Sequence, residues 1–378
     1  MTRTSPLRLL LVVPSLRRAG AETQALDLAN GLDPQAFRKT LFTFEADLAQ
    51  IEKLDRAQVE FVNHPRRFKF DPSIVTALAR VIDSAEIDVV HCTMQFSLLV
   101  AWLALRRTRR RPRLVAAIHT TKNRSRKEEI QDRRVYRRLL RRCDRIIYVS
   151  RNQADYWGAR FPELRPHAVV VHNGVDTRLF HAPDFTDAGQ QLRRELGIAK
   201  SAPALACIAG LRPEKGHRIL LEALKRAPRD THLLLAGDGP ERPLLESVAR
   251  ASGLESNIHF LGNVRDVRPV LAAVDTTILA STAVETFSMA MLESMAMGRP
   301  VIGSRLGGMD EAVKHGETGL LVPSGDPDAL AAAIRTVVHD PAARTAMGVH
   351  SRRLVVREFT REKMLESTRR VLQATLAG

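Results

Sequence analysis

At 378 residues the chain is longer than one ordinary hydrophobic core, which favours two domains. Three widely spaced cysteines and an apolar share of 44% argue against a disulfide scaffold or a zinc site, and they are typical of a soluble protein of the reducing cytoplasm. The net charge of +16 calls for an anionic partner or surface, but the longest apolar run, at 96–105, has about half the length of a bilayer-crossing helix.

The first half alternates short apolar strands with amphipathic helices. Helices are predicted over GAETQALDLANGL and SIVTALARVI, and each expected strand ends in polar residues. The expected strands are LRLLLVVPS, KTLFTF, DVVHC, LVAAIH, RIIYVS and AVVVHNGVD. This alternation indicates a parallel sheet covered on both faces, a doubly wound α/β domain over residues 1–180.

Most of the positive charge lies in one part of this half. Residues 1–180 contain 33 Lys and Arg against 19 Asp and Glu, and residues 101–150 alone contain 17 against 4. A solvated helix face and a surface for anionic phospholipid headgroups both remain open for residues 106–145. Nucleic acid is disfavoured because no aromatic-interleaved platform accompanies the charge.

A second alternating set of strands and helices follows residues 181–200, which are predicted to be a linker with a short helix. It predicts a second doubly wound domain over 201–360, and a helix at about 361–378 is a candidate to pack back on the first domain. Ligands of such sheets bind outside the carboxyl ends of the strands, so two domains facing each other would leave a cleft between them.

The segment AGLRPEKGHRILLEAL predicts a strand end, a turn and a helix start. Arg212 and Lys215 lie just ahead of the helix. Two cations with free helical N–H groups form an anion site, for which a diphosphate is the obvious candidate. A solvated basic turn is the alternative.

The segment VETFSMAMLESMAMG predicts a helix that begins near Thr286 and is apolar on nearly every side. It carries Glu285 at its mouth and Glu293 two turns inside. A carboxylate in this position can accept two hydroxyl hydrogen bonds, as from a ribose. A favourable charge at a helix N-terminus is the alternative for Glu285.

In the order LRPEKG, GDGP, FLGNV, ETFSMAMLESMAMGRPVIGS and GGMDEAVKHGETGLLVP, these motifs resemble the family 4 retaining glycosyltransferases, which have the two-Rossmann GT-B architecture. RRAGAETQALDLA resembles their N-terminal glycine loop, and HNGVDTRLF their interdomain junction. The resemblance covers nearly the whole chain.

The resemblance implies roles for individual residues in the second domain. Arg212 and Lys215 would bind the donor diphosphate, Glu293 the donor ribose and Glu285 the donor sugar. Further donor contacts would come from the backbone of Thr286, Phe287 and Ser288, and from the nucleobase loop at Val264 and Arg265.

Two residues of the first domain would complete the site. The resemblance implies that Gly20 lets the backbone approach the phosphates and that His119 lies near the reacting sugar, with a structural strand-end histidine as the alternative. The chain departs from the family pattern at Ala19, Ser288 and Ser294, and Ser288 would narrow the sugar pocket. The donor sugar is therefore left open.

The segment DPD at 326–328 looks like a metal-binding motif of other glycosyltransferases. We expect instead that Asp326 caps a helix with Pro327 at its first position, and we predict no metal site.

The expected activity is metal-independent transfer of a sugar from a UDP- or GDP-sugar, with retention by front-face attack. The acceptor would be a glycan or a polyprenyl- or other lipid-linked molecule, as in the biosynthesis of cell-surface polysaccharides or glycolipids. We expect a cytoplasmic protein, with peripheral attachment to the inner face of the membrane as a further possibility. The alternatives are a sugar-nucleotide epimerase, a phosphorylase-like enzyme and a non-catalytic protein that binds anionic surfaces.

Overall fold

The computed structural model describes residues 5–120, 126–283 and 285–377. The chain forms two compact units, one made of Met1–Asn173 with Arg361–Gly378 and the other of Gly174–Thr360. Within the described residues, none of the helices combines the length and the hydrophobicity that a membrane span requires.

The first unit is built on a parallel sheet of seven strands in the order β3-β2-β1-β4-β5-β6-β7. The strands are β1 (Leu7–Val13), β2 (Phe37–Thr43), β3 (Val59–Asn63), β4 (Val89–Thr93), β5 (Arg113–Ile118), β6 (Arg145–Tyr148) and β7 (Ala168–Val170). The helices are α1 (Gly20–Gly31), α2 (Ser73–Ser84), α3 (Gln95–Leu105), α4 (Arg126–Gln131), α5 (Arg137–Leu140), α6 (Arg151–Arg160) and the C-terminal helix (Arg361–Ala377), with a π-helical turn at Asp132–Tyr136.

Both faces of this sheet are buried. Leu9 and Leu11 of β1 share a core with α1 and the C-terminal helix, while Leu10 and Val12 share another with α2 and α3. Because side chains alternate along a strand, β1 is apolar from Leu9 to Val13 and is covered by helices on both sides.

The second unit has a parallel sheet of six strands in the order β10-β9-β8-β11-β12-β13. The strands are β8 (Ala204–Ile208), β9 (His232–Ala236), β10 (Ile258–Gly262), β11 (Thr276–Leu279), β12 (Val301–Ser304) and β13 (Gly319–Val322). The helices are α7 (Thr186–Glu195), α8 (His217–Leu224), α9 (Arg242–Ala251), α10 (Arg268–Ala273), α11 (Met289–Ala296), α12 (Met309–Ala312), α13 (Pro327–His339) and α14 (Pro341–Glu358). The predicted doubly wound α/β architecture is confirmed for both units.

Residues 181–200, predicted to be a linker, form part of the second unit. They include α7, and Leu192, Leu196 and Ile198 pack into an apolar cluster with Val270 of α10. The short helix predicted in this stretch is α7, and the apolar side chains of the stretch pack against β8 and β9. At the other end of the chain, Leu365 of the C-terminal helix packs against Gly31 of α1.

Each sheet reverses its strand order at one point. The reversal lies between β1 and β4 in the first unit and between β8 and β11 in the second. Loops that leave the carboxyl ends of such neighbouring strands diverge and form the usual ligand site of doubly wound folds. In the second unit these loops carry Arg212, Lys215 and Glu285.

Candidate functional site

The loop after β8 is held tightly against the chain that leaves β11. Pro213–Lys215 form a 3₁₀ turn, and Gly216 follows with φ +69°. A Cβ at Gly216 would lie 2.0 Å from the carbonyl oxygen of Ala280. The Thr282 N–H also donates to the Glu214 carbonyl at 2.9 Å. Glycine is required here because any side chain would push the two loops apart.

This packing brings together two residues that the sequence assigned to different parts of a donor. Lys215 Nζ donates to Glu285 Oε2 at 2.9 Å, and Ser281 Oγ donates to the same oxygen at 2.8 Å. Glu285 is only 8% exposed. A carboxylate this deeply buried needs such partners, and Lys215 and Ser281 provide them.

The backbone of Glu285 is fixed from a third loop. Gly307 has φ +60°, and a Cβ there would lie 1.5 Å from the Glu285 carbonyl oxygen. The Gly308 N–H donates to the Thr286 carbonyl at 2.9 Å. The glycine pair after β12 therefore acts as a support for the residues that present Glu285.

Helix α11 begins later than the sequence predicts. Ser288 is its N-cap and its Oγ accepts from the Met291 N–H at 3.3 Å, so the helix starts at Met289 and not at Thr286. Phe287 is buried before the helix, with its ring centroid 5.3 Å from that of Phe359. The prediction missed this because serine at the N-cap and a buried aromatic before it are jointly more favourable than one further turn of helix. Glu293 lies in the second turn of α11 and is partly buried.

The remaining donor-site candidates of the second unit lie on its loops. Arg212 is partly buried, and its Nε lies 3.3 Å from Glu214 Oε1. Val264 and Arg265 follow β10; Val264 packs against an apolar cluster, whereas Arg265 is exposed. Contacts of these residues with a diphosphate or a nucleobase stay predictions.

In the first unit, Gly20 and His119 lie at the carboxyl edge of the sheet. Gly20 begins α1 after β1, and an ion pair of Arg17 Nε with the buried Glu22 at 2.8 Å holds the loop around it. His119 follows β5 and is partly buried. The two residues thus lie at the same edge of the first sheet, and their contacts with a donor stay predictions.

Two residues that the sequence analysis missed fix the turn that carries His119. The Thr120 carbonyl accepts from Gln153 Nε2 at 2.9 Å and from Trp157 Nε1 at 3.3 Å. Gln153 is fully buried, and its Oε1 accepts from the Val149 N–H at 2.8 Å. No local pattern could identify them, because their role depends on α6 packing beside β5.

Met94 carries a strained backbone at the strand reversal of the first sheet. It has φ 71° and ψ 158°, and its N–H donates to the Ala117 carbonyl at 2.9 Å. Such a conformation costs about 1–3 kcal/mol for a residue other than glycine and is concentrated at functional sites. Met94 is therefore a further candidate for this site, and its side-chain type gives no sequence signal for it.

Burial keeps three histidines of the two units neutral. It lowers the pKa of His91, His119 and His217 from 6.5 to about 4. His91 adds to the effect at His119, and Lys215 adds to it at His217. At neutral pH, His119 is therefore a hydrogen-bonding group without charge.

The DPD segment forms the predicted helix cap. Asp326 Oδ1 accepts from the Asp328 N–H at 3.0 Å and from the Ala329 N–H at 2.9 Å, and Pro327 is the first residue of α13. The prediction of an N-cap is confirmed. Across the described ranges, no group of three or more His, Cys, Asp or Glu side chains is arranged to hold a metal ion.

Comparison with known families gives two matches that together span most of the chain. The profile described as Glycosyltransferase Family 4 matches residues 18–179, and that described as Glycosyl transferases group 1 matches residues 202–340.

Two proteins similar in sequence are a mannosyltransferase and a synthase. A GDP-mannose-dependent alpha-(1-6)-phosphatidylinositol monomannoside mannosyltransferase of Mycolicibacterium smegmatis is 30% identical over 80% of this chain and 80% of its own length. An N-acetyl-alpha-D-glucosaminyl L-malate synthase of Bacillus anthracis is 28% identical over 78% of this chain and 77% of its own.

Solved structures share the fold. The Anabaena protein Alr3699/HepE in complex with UDP and glucose superimposes with a TM-score of 0.86 and 24% identity, over 97% of this chain and 100% of its own. WaaG, a glycosyltransferase involved in lipopolysaccharide biosynthesis, superimposes with a TM-score of 0.73 and 15% identity, over 95% of this chain and 98% of its own. The two-Rossmann GT-B architecture is thereby confirmed.

The three buried histidines predict a loss of stability in mild acid. These histidines bind a proton more weakly in the folded chain than in the unfolded chain. The free energy of unfolding should therefore keep its neutral-pH value above pH 6.5 and decrease as the pH approaches 4. Urea denaturation across this range measures it. His217→Gln should flatten the slope, whereas the exposed control His350→Gln should not. Identical slopes in all three proteins would refute the assignment.

Proposed function

This chain belongs to family 4 of the glycosyltransferases, the group 1 type, and we propose that it transfers a sugar from a nucleotide-sugar to a glycan or lipid-linked acceptor with retention of configuration. The observation that carries the proposal is the contact of Lys215 with the buried Glu285 at the strand reversal of the second sheet. The contact places a cation that could bind phosphate beside a carboxylate that could accept hydrogen bonds from sugar hydroxyls.

The donor is a UDP- or GDP-sugar in this proposal. Support comes from the UDP bound to the Anabaena neighbour and from the GDP-mannose dependence of the mycobacterial relative. Arg212 and Lys215 would bind the diphosphate and Glu293 the ribose hydroxyls, while Val264 and Arg265 would lie beside the base. Charged hydrogen bonds of this kind contribute about 1.5–3 kcal/mol each.

Glu285 is a sugar-binding residue in this mechanism and not a nucleophile. Its Oε2 already accepts from Lys215 Nζ and Ser281 Oγ. Both bonds engage lone pairs of the oxygen that an attack on the anomeric carbon would need. Lys215, held by Glu285, would stand between the sugar and the phosphate and would stabilise charge on the departing diphosphate.

The reaction then proceeds on one face of the sugar. The bond from the anomeric carbon to the diphosphate oxygen breaks, the acceptor oxygen bonds to that carbon from the same side, and the acceptor proton passes to the departing phosphate oxygen. The neutral His119 would offer a hydrogen bond near the reacting sugar. Arg212 and Lys215 would supply the positive charge that a metal ion supplies elsewhere, so we propose metal-independent transfer.

The basic segment, residues 106–145, would attach the enzyme to the cytoplasmic face of an anionic membrane. Twelve of its basic residues are exposed: Arg106, Arg107, Arg109, Arg111, Arg126, Lys127, Arg133, Arg134, Arg137, Arg138, Arg141 and Arg142. Residues 121–125 of the segment lie outside the described residues. Basic side chains near such a surface contribute about 1 kcal/mol each, so attachment would place a lipid-linked acceptor within reach.

Substitution of two donor-site residues should affect nucleotide binding and turnover differently. Glu293→Ala should weaken nucleotide binding by about 1–3 kcal/mol, because ribose hydrogen bonds are lost. Lys215→Ala should lower kcat more than nucleotide affinity, since charge on the diphosphate grows in the transition state. Thermal shift with UDP, GDP and ADP and their sugars, followed by turnover with the stabilising donor, measures both. Lys225→Ala, near the end of α8, is the control. Unchanged turnover in Lys215→Ala would sink the assignment.

The stereochemistry of the product tests the front-face route. An α-linked sugar nucleotide should give an α-linked product, with no trapped glycosyl-enzyme and the same rate in EDTA. NMR of the anomeric proton reads the configuration. A β-linked product, or a rate abolished by EDTA and restored by a divalent cation, would overturn the mechanism.

Neutralising exposed arginines should weaken attachment to anionic vesicles. Arg134, Arg138 and Arg141 are exposed, and their joint replacement by Gln should lower affinity by about 3 kcal/mol, roughly a hundredfold. Sedimentation with phosphatidylglycerol vesicles at several salt concentrations measures the loss. The matched control replaces the exposed Arg229, Arg250 and Arg353 of the second unit. Equal binding by the two triple variants would mean that the segment is only a solvated face.

A further inference from the structure

A short loop of the first unit exposes two phenylalanines between basic residues. This loop, residues 65–70 with the sequence PRRFKF, is named the aromatic tip. Phe68 is 60% exposed and Phe70 is 70% exposed, more than any other large hydrophobic side chain among the described residues. Two such rings in one loop form an apolar patch, which in a folded protein marks an interaction site.

The aromatic tip is a closed turn and not a loose connection. Asp71 Oδ2 accepts from the Arg67 N–H at 2.9 Å, and the Asp71 N–H donates to the Phe68 carbonyl at 3.2 Å. Asp71 Oδ1 also accepts from the Ser73 N–H at 2.9 Å, at the start of α2. The hydrogen bonds that the carboxylate accepts from Arg67 and Ser73 lower the pKa of Asp71 to about 2, so the turn keeps its shape at physiological pH. The two rings are therefore held outward by the fold.

The basic residues of the tip divide into an anchor and two exposed charges. Arg66 donates to Glu45 Oε1 at 2.7 Å, and its guanidinium lies 5.4 Å from the ring centroid of Phe96. Arg67 and Lys69 are exposed and alternate with the two phenylalanines. The outward surface is consequently apolar at its centre and positive around it.

We propose that the aromatic tip inserts Phe68 and Phe70 into the interface of an anionic phospholipid bilayer, while Arg67 and Lys69 contact headgroup phosphates. Phenylalanine has no polar tip of its own, so water is a poor environment for it and the acyl boundary a good one. The flanking charges give the complementarity that an anionic headgroup layer requires. The partner is thus a lipid surface and not a folded protein groove.

The position of the tip gives the insertion a purpose. It follows β3 at the carboxyl edge of the sheet, the edge that also carries Gly20 and His119. The order β3-β2-β1-β4-β5 puts about 19 Å between β3 and β5, and the first described residues after the turn at Thr120 are those of α4, with the exposed Arg126 and Lys127 of the basic segment. Two attachments at this spacing would fix the edge toward the bilayer. This purpose rests on the proposed transfer to a lipid-linked acceptor, whereas insertion itself does not.

Vesicle binding tests the insertion without reference to catalysis. The double variant Phe68→Ser with Phe70→Ser should bind phosphatidylglycerol vesicles at least about tenfold more weakly than the wild type. It should retain the salt dependence of binding, because the basic residues are unchanged. The control replaces Leu244 and Val356 by Ser, two exposed apolar residues of the second unit. Equal binding by the double variant and the wild type would overturn the proposal.

Two further measurements separate the remaining outcomes. A Phe70→Trp protein should show tryptophan emission that brominated lipid quenches beyond the level given by Trp102 and Trp157 alone; no added quenching would overturn insertion. Single-stranded RNA should not displace the protein from vesicles through Phe68 and Phe70. If RNA competes with vesicles for the wild type but not for the double variant, the tip binds nucleic acid instead. The double variant should transfer the sugar to a soluble acceptor analogue at the wild-type rate. A failure of the proposed transferase activity would therefore be distinguished from a failure of membrane insertion.

Discussion

A carboxylate buried at the reversal point of a parallel sheet requires a partner, and the second unit is arranged around that requirement. Glu285 obtains Lys215 from the loop after β8 and Ser281 from its own loop. The two loops can come this close only because Gly216 has no side chain: a Cβ there would lie 2.0 Å from the Ala280 carbonyl oxygen. The loop glycines are therefore part of the electrostatic arrangement and not merely turn residues.

The elements that the sequence predicts well are those whose signal is local. The apolar strands and the cap at Asp326 depend on neighbouring residues alone, and the structure has them where they are expected. The motif residues Lys215 and Glu285 could be named, but not their contact, since it joins loops 70 residues apart. The role of Gln153 and the strain at Met94 likewise follow from the packing of α6 and β5, which no short pattern encodes. The aromatic tip was overlooked because six residues have no periodicity from which exposure could be inferred.

The two units differ in charge as they would for different partners. The first unit, residues 1–173 with 361–378, has a net charge of +16, whereas the second unit, residues 174–360, has none. The second unit compensates its cations internally, as with Lys215 and Glu285 or Arg218 and the buried Glu241. In the first unit, Arg67 and Lys69 and much of the basic segment face solvent. A small ligand suits the compensated site, and an extended anionic surface suits the uncompensated one.

The pairing of Lys215 with Glu285 also bears on selectivity for the proposed donor. Removing one member of a buried ion pair costs about 3–5 kcal/mol, because the other charge is left without compensation. A nucleoside diphosphate alone would draw Lys215 toward phosphate and give Glu285 nothing in return. A sugar hydroxyl that donates to Glu285 restores the balance, so a complete nucleotide-sugar satisfies both charges together. Under the proposed function, the arrangement would therefore favour the intact donor over its diphosphate product through the contact of Lys215 with Glu285.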